Sequence, residues 1–133
     1  MEPSYAGEGI YRENILDHYK HPHNKGIIEN ADIKFTENNP FCGDVITVTI
    51  KLKNHKTDGM KLIDDIKFTG SGCAISQAAA SMLTEKIKGK SLKQIKNIQR
   101  DNIVNMLGIK IGVVRTKCAM LCLTAIKEGI KKI

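Results

Sequence analysis

Apolar residues change their spacing part-way along the chain, and that change limits the folds open to it. In "VITVTIKLK" (residues 45–53) Ile46, Val48, Ile50 and Leu52 alternate with Thr47, Thr49 and Lys51, the period-2 pattern of a half-buried strand. "NHKTDG" supplies a turn, and "LIDDIKFTG" returns as a second alternating run through Ile66 and Phe68. "DIKFTE" (32–37) alternates more weakly and reads as an earlier strand. After "GSG" at residues 70–72 the period becomes 3.6. Ile75, Ala78, Ala79, Met82 and Ile87 form a helical stripe, and Gly89 ends it. Short helical pieces follow in "SLKQIKNI" and "DNIVNML". A last helix is expected from about Lys117, with Cys118, Leu121, Cys122, Ala125 and Ile126 on one face. An opening helix places Ile10, Ile15, Leu16 and Tyr19 together and stops before Pro22. Strands followed by helices, without βαβ alternation, predict an α+β fold: a three-stranded antiparallel sheet covered on one face by helices.

The 133 residues suit one domain spanning 1–133. With no Trp, its core must be built from Ile, Val, Leu, Met and Ala. The net charge of +7 is spread over what read as solvent faces of helices, with no aromatic RNA-binding signature and no helix-turn-helix pattern. Nucleic acid is therefore not the expected partner; a basic surface of this kind would steer an acidic protein. There is no apolar run long enough to span a membrane and no signal-peptide pattern in "MEPSYAGEGIYREN", so the expected compartment is the cytoplasm.

In a reducing compartment the four thiols, Cys42, Cys73, Cys118 and Cys122, point to metal or redox chemistry rather than disulfides. They do not form a local CxxC knuckle. Cys42 precedes the long strand, Cys73 opens a helix and Cys118 stands near the start of the last helix. Thiols at element ends can converge at one tip of the sheet, where Asp44 would add a carboxylate from the turn that carries Cys42. A helix N-terminus favours thiolate at Cys73, and Cys118 has Arg115 and Lys117 beside it. Gly70 and Gly72 let backbone approach a bound ion or cluster closely, and Gly43 keeps the backbone slim between Cys42 and Asp44. A Cys₃Asp set suits tetrahedral Zn²⁺ and equally a [2Fe–2S] cluster. The carboxylate is the harder donor, and a cluster held through it should be easier to release.

The motifs "NPFCGD", "GSGCAISQAAAS" and "RTKCAML" are similar to those of the IscU/SufU/NifU-N-terminal family of iron–sulfur cluster assembly scaffolds. The resemblance runs from "YRENILDHYKHPHNKG" to the final helix. It implies a cluster site at one tip of the sheet, with Cys42, Asp44, Cys73 and Cys118 as ligands. It also implies sulfur delivery from a cysteine desulfurase to Cys118 as persulfide acceptor, and transfer of the cluster to acceptor apoproteins. The IscU branch has His where this chain has Lys117, whereas Arg115 matches an Arg of the SufU branch. The helix-sized insertion usual in SufU is missing between Cys73 and Cys118. "IGVVR" at 111–115 replaces the chaperone-recognition segment "LPPVK".

Three functions follow. The first is a [2Fe–2S] scaffold, whose cluster could bridge protomers of a homo-oligomer. The second is a zinc-containing sulfurtransferase using the same site, and the third a structural zinc module, against which Asp44 argues. Cys122, one helical turn beyond Cys118 on the apolar face, reads as a core thiol. Lys117 reads as an electrostatic helper, since an ammonium cannot coordinate metal. "HYKHPH" reads as surface or partner-contact histidines rather than a metal tract.

Overall fold

A computed structural model of the chain describes residues 3–40 and 43–133, with side chains from Gly9 onward. The alternating segments pair as expected. β1 (Ile33–Asn39), β2 (Asp44–Asn54) and β3 (Lys61–Ser71) form an antiparallel sheet in the order β1-β2-β3. Ile33 lies opposite Ile50 and Phe35 opposite Val48, so the apolar sets of both strands face the same way. Ile46, Val48, Ile50, Ile63, Ile66 and Phe68 are fully buried on that face. A register shift between Lys51 and Leu52 lets the β2–β3 ladder twist beyond that point.

Helices α2 (Ala74–Ile87) and α5 (Val113–Lys131) cover this face, α2 against β3 and α5 against β1 and β2, and they pack on each other. α3 (Leu92–Lys96) and α4 (Arg100–Leu107) complete the layer. Ser91 caps α3, accepting the Gln94 N–H at 3.1 Å. The opposite face is partly crossed by the chain between Asn24 and Asp32. Gly26 N–H donates to the Phe68 carbonyl at 2.8 Å, and Ile28 N–H to Thr49 Oγ1 at 3.0 Å. Thr49 is consequently buried, although the alternation assigns it to the polar face.

Three expectations shift. α5 starts at Val113, with Gly112 as N-cap, so Cys118 lies in its second turn rather than at its start. α1 (Pro3–Lys20) docks on α2, and among its described side chains Ile15 and His18 are the buried ones, while Ile10, Leu16 and Tyr19 are exposed. His18 is not a surface residue. Its Nδ1 is hydrogen-bonded to Ser81 Oγ at 2.8 Å, while His23 pairs with Glu85 and donates its N–H to the same hydroxyl at 2.7 Å. Asn24 Nδ2 donates to Thr84 Oγ1 at 3.2 Å. This polar seam explains why α2 buries Ser81 and Thr84 beside its apolar stripe. Burial, and secondarily the charge of His23, lowers the His18 pKa below its ordinary 6.5.

Candidate metal centre

Asp44 opens β2, where strand alternation turns its side chain toward the helices, and it is almost completely buried. α2 begins directly above it. Cys73 is the N-cap of α2; its N–H donates to Asp44 Oδ1 at 3.1 Å, and its Sγ lies 3.7 Å from Oδ2. α5 brings in Cys118 from the other side. The donor atoms of Asp44, Cys73 and Cys118 all lie within 4.8 Å of one another, the one such grouping of metal-ligating side chains among the described residues. Donors bound at about 2.3 Å in a tetrahedron stand roughly 3.8 Å apart, so these three suit one ion with small side-chain adjustments. Two soft sulfurs and one hard oxygen suit zinc or iron better than calcium or magnesium. Cys42, two positions before Asp44, lies outside the described residues.

Gly72 explains how α2 comes so close. A Cβ at that position would stand 2.7 Å from Asp44 Cγ, 2.8 Å from Oδ1 and 2.5 Å from Ser76 Oγ. Only a residue without a side chain lets the backbone pass over the carboxylate. Gly70 serves the sheet instead, its Cα facing the Val45 carbonyl where a Cβ would fall 2.0 Å away. Gly43 takes φ +73° and donates its N–H to the Asn39 carbonyl at 2.8 Å, closing the β1–β2 turn.

The remaining expected residues divide. Cys118 is buried, whereas Cys73 is exposed. Arg115 and Lys117 are exposed on the first two turns of α5, on either side of the approach to Cys118. Lys117 lines an open groove of about 700 Å³ together with Asn39, Pro40, Arg100 and Met120; Arg115 lines a smaller one of about 340 Å³ with Arg12. Cys122 belongs to the hydrophobic core, where burial pushes its thiol pKa up to about 12. His21 and His55 are exposed and stand apart from the three converging donors.

Asn39 reads in the sequence as a turn residue. It is instead the last residue of β1, it is buried, and its Nδ2 points at Cys118 Sγ at 4.0 Å. The signal for it was the strand parity that puts Asn39 on the same side as Phe35 and Ile33.

A family model described as NifU-like N terminal domain matches residues 10–133. The zinc-dependent sulfurtransferase SufU of Bacillus subtilis (strain 168) is 37% identical over 140 residues, covering 92% of this chain and 90% of that protein. The iron-sulfur cluster assembly scaffold protein IscU 1 of Archaeoglobus fulgidus is 38% identical over 123 residues, covering 91% and 74% respectively. The crystal structure of FiSufU from Fervidobacterium islandicum AW-1 superposes with a TM-score of 0.71 at 29% identity, over 92% of this chain and 98% of that one. A match across nearly the whole chain, on this sheet and with these cysteine motifs, leaves one assignment: the chain belongs to the family of NifU-like N-terminal domains, among relatives named IscU and SufU.

Proposed function

We propose that this protein is a scaffold on which a [2Fe–2S] cluster is assembled from iron and desulfurase-derived sulfur, then passed to acceptor apoproteins. The observation that carries this is the meeting of the Asp44, Cys73 and Cys118 donor atoms within 4.8 Å at one end of the sheet. Cys42 is proposed as the fourth ligand, on its motif position beside Asp44. The cluster is cargo, so the site must bind and then release it. A carboxylate among thiolates serves that need, because it is the harder and weaker donor toward iron–sulfide.

Cys118 is proposed as the sulfur acceptor. Its thiolate attacks the terminal sulfur of the desulfurase's cysteine persulfide; a new S–S bond forms and the donor's S–S bond breaks. The donor cysteine leaves as thiolate, and no net oxidation occurs. Release of that sulfur as sulfide then takes two electrons from a thiol or iron–sulfur reductant. Arg115 and Lys117 at the exposed end of α5 would hold the anionic persulfide and leaving thiolate in place electrostatically. The reading takes the cytoplasm as its compartment, because its thiols must stay reduced.

A second reading has a specific observation in its favour. The similarity to the B. subtilis sulfurtransferase covers 92% of this chain and 90% of that protein, and Arg115 stands where the resemblance places an Arg of the SufU branch. In that case Zn²⁺ occupies the same ligands, and Cys118 is freed from it to take up sulfur. Anaerobic reconstitution with ferrous iron, cysteine and a cysteine desulfurase separates the two. A visible cluster spectrum that moves to apo-ferredoxin supports the scaffold. Tightly retained zinc with accelerated desulfurase turnover, and no cluster, would reject it in favour of the sulfurtransferase.

A further inference from the structure

The geometry points to Asn39 as a positioning residue that holds the Cys118 sulfur at the site by hydrogen-bond donation. The inference deepens the reading above and rests on Cys118 being a ligand and sulfur carrier. Asn39 and Asp44 form the last pair of the β1–β2 ladder. Residues directly opposite in an antiparallel pair project to the same face, and both are buried, at 7% and 1% exposure. Each is directed at one of the two described site thiols. Asp44 receives the Cys73 N–H and faces its sulfur, while the Asn39 amide is directed at Cys118 Sγ, 4.0 Å away and 79 positions along the chain. The Asn39 carbonyl accepts from Gly43 N–H in the turn that also carries Cys42. One residue thus links the α5 thiol to the turn bearing the carboxylate.

An amide suits this task. A thiolate or persulfide is an acceptor, and Asn supplies two N–H donors where a carboxylate supplies none. Donors to cysteinyl sulfur fix ligand orientation and tune the bound group. Asn39 also lines the groove of about 700 Å³ with Lys117, so a partner reaching Cys118 from that side would meet the amide and the ammonium together.

The test replaces the donor while separating it from packing. Asn39→Leu keeps the γ-branched outline with added bulk and removes the donor; Asn39→Ser loses volume and keeps one. Each full-length protein is loaded with Co²⁺, and the thiolate-to-cobalt charge-transfer band and the affinity against a chelator are measured. Removing a group that orients a ligand lowers metal affinity by about tenfold or more, so Asn39→Leu should bind Co²⁺ at least that much more weakly, with an altered band. Asn39→Ser should recover part of both. A packing role predicts the reverse order, and Leu matching wild type or exceeding Ser overturns the proposal. If Leu abolishes the cooperative melt, Asn39→Ala against Asn39→Ser gives the same comparison. A wild-type band unaffected by Cys118→Ser would remove Cys118 from the site, defeating the parent reading and this one by a separate signature.

Discussion

Replacing Gly72 with alanine should destabilise the metal-free protein, and the penalty should nearly vanish when Asp44 is also truncated. Gly72 is absent from the positive-φ glycines, so alanine fits its backbone and the effect is steric. The new methyl would lie under 3.0 Å from three atoms, two of them in the Asp44 carboxylate and the third Ser76 Oγ. Overpacking of this kind costs about 1–3 kcal/mol, and displacing the carboxylate also strains its bond from Cys73 N–H, worth about 1.5–3 kcal/mol for a charged acceptor. Alanine returns about 0.4–1 kcal/mol by restricting the unfolded chain. The net loss should be about 2–4 kcal/mol, a fall in melting temperature of roughly 6–15 °C for a domain of this size. In the Asp44→Ala background Ser76 Oγ is the one left of the three close atoms, and it can rotate. There Gly72→Ala should cost under about 1 kcal/mol by the same overpacking scale. Thermal melts of the four proteins with chelator at neutral pH close the cycle. Additivity within about 0.5 kcal/mol would refute the claim that Gly72 exists to admit the carboxylate.

Other expectations can be checked on the same protein. His18 has a folded pKa below its unfolded value of 6.5, so its contribution to stability is complete above that pH and is lost on acidification through the folded pKa. Melts between pH 7 and 5 should show a falling midpoint that flattens in His18→Gln; an unchanged slope would count against the seam. Cys122→Ala should cost about 1 kcal/mol, a typical core substitution, and leave metal binding intact. Cys122 in the native wild type should resist iodoacetamide until denaturant is added, whereas loss of metal in the alanine variant would assign it to the site. Asp44→Ala should give a longer-lived cluster and slower transfer to apo-ferredoxin, and unchanged transfer kinetics would dismiss the role of donor hardness.

The sheet was readable because one face of each strand is buried, which makes alternation strict at Ile46, Val48 and Ile50. Convergence of Asp44 and Cys73 is legible because both stand at element ends at one tip of the sheet, whereas Cys118 reaches them from the second turn of α5 rather than from its start. The start of α5 was misplaced because Val113 and Val114 are exposed and Arg115 is polar, so its first turn carries no apolar stripe for periodicity to detect. The exposure of Ile10, Leu16 and Tyr19 was hidden for the opposite reason. They look amphipathic, yet α1 is anchored by Ile15 and by a histidine whose burial depends on a hydroxyl 63 residues away. Asn39 is not legible as a site residue because an Asn-Pro pair signals a turn more strongly than a strand end.

Asp44, Cys73 and Cys118 begin a strand, cap one helix and sit inside another, and the first two are already 29 positions apart. An occupant of that corner would act as a cross-link closing long loops of the chain, a constraint of about 3–4 kcal/mol when the link is a disulfide. Mass action requires the occupied fold to be the more stable one. Handing over the occupant therefore unties three segments at once, and the emptied protein should be measurably softer than the one that arrived loaded.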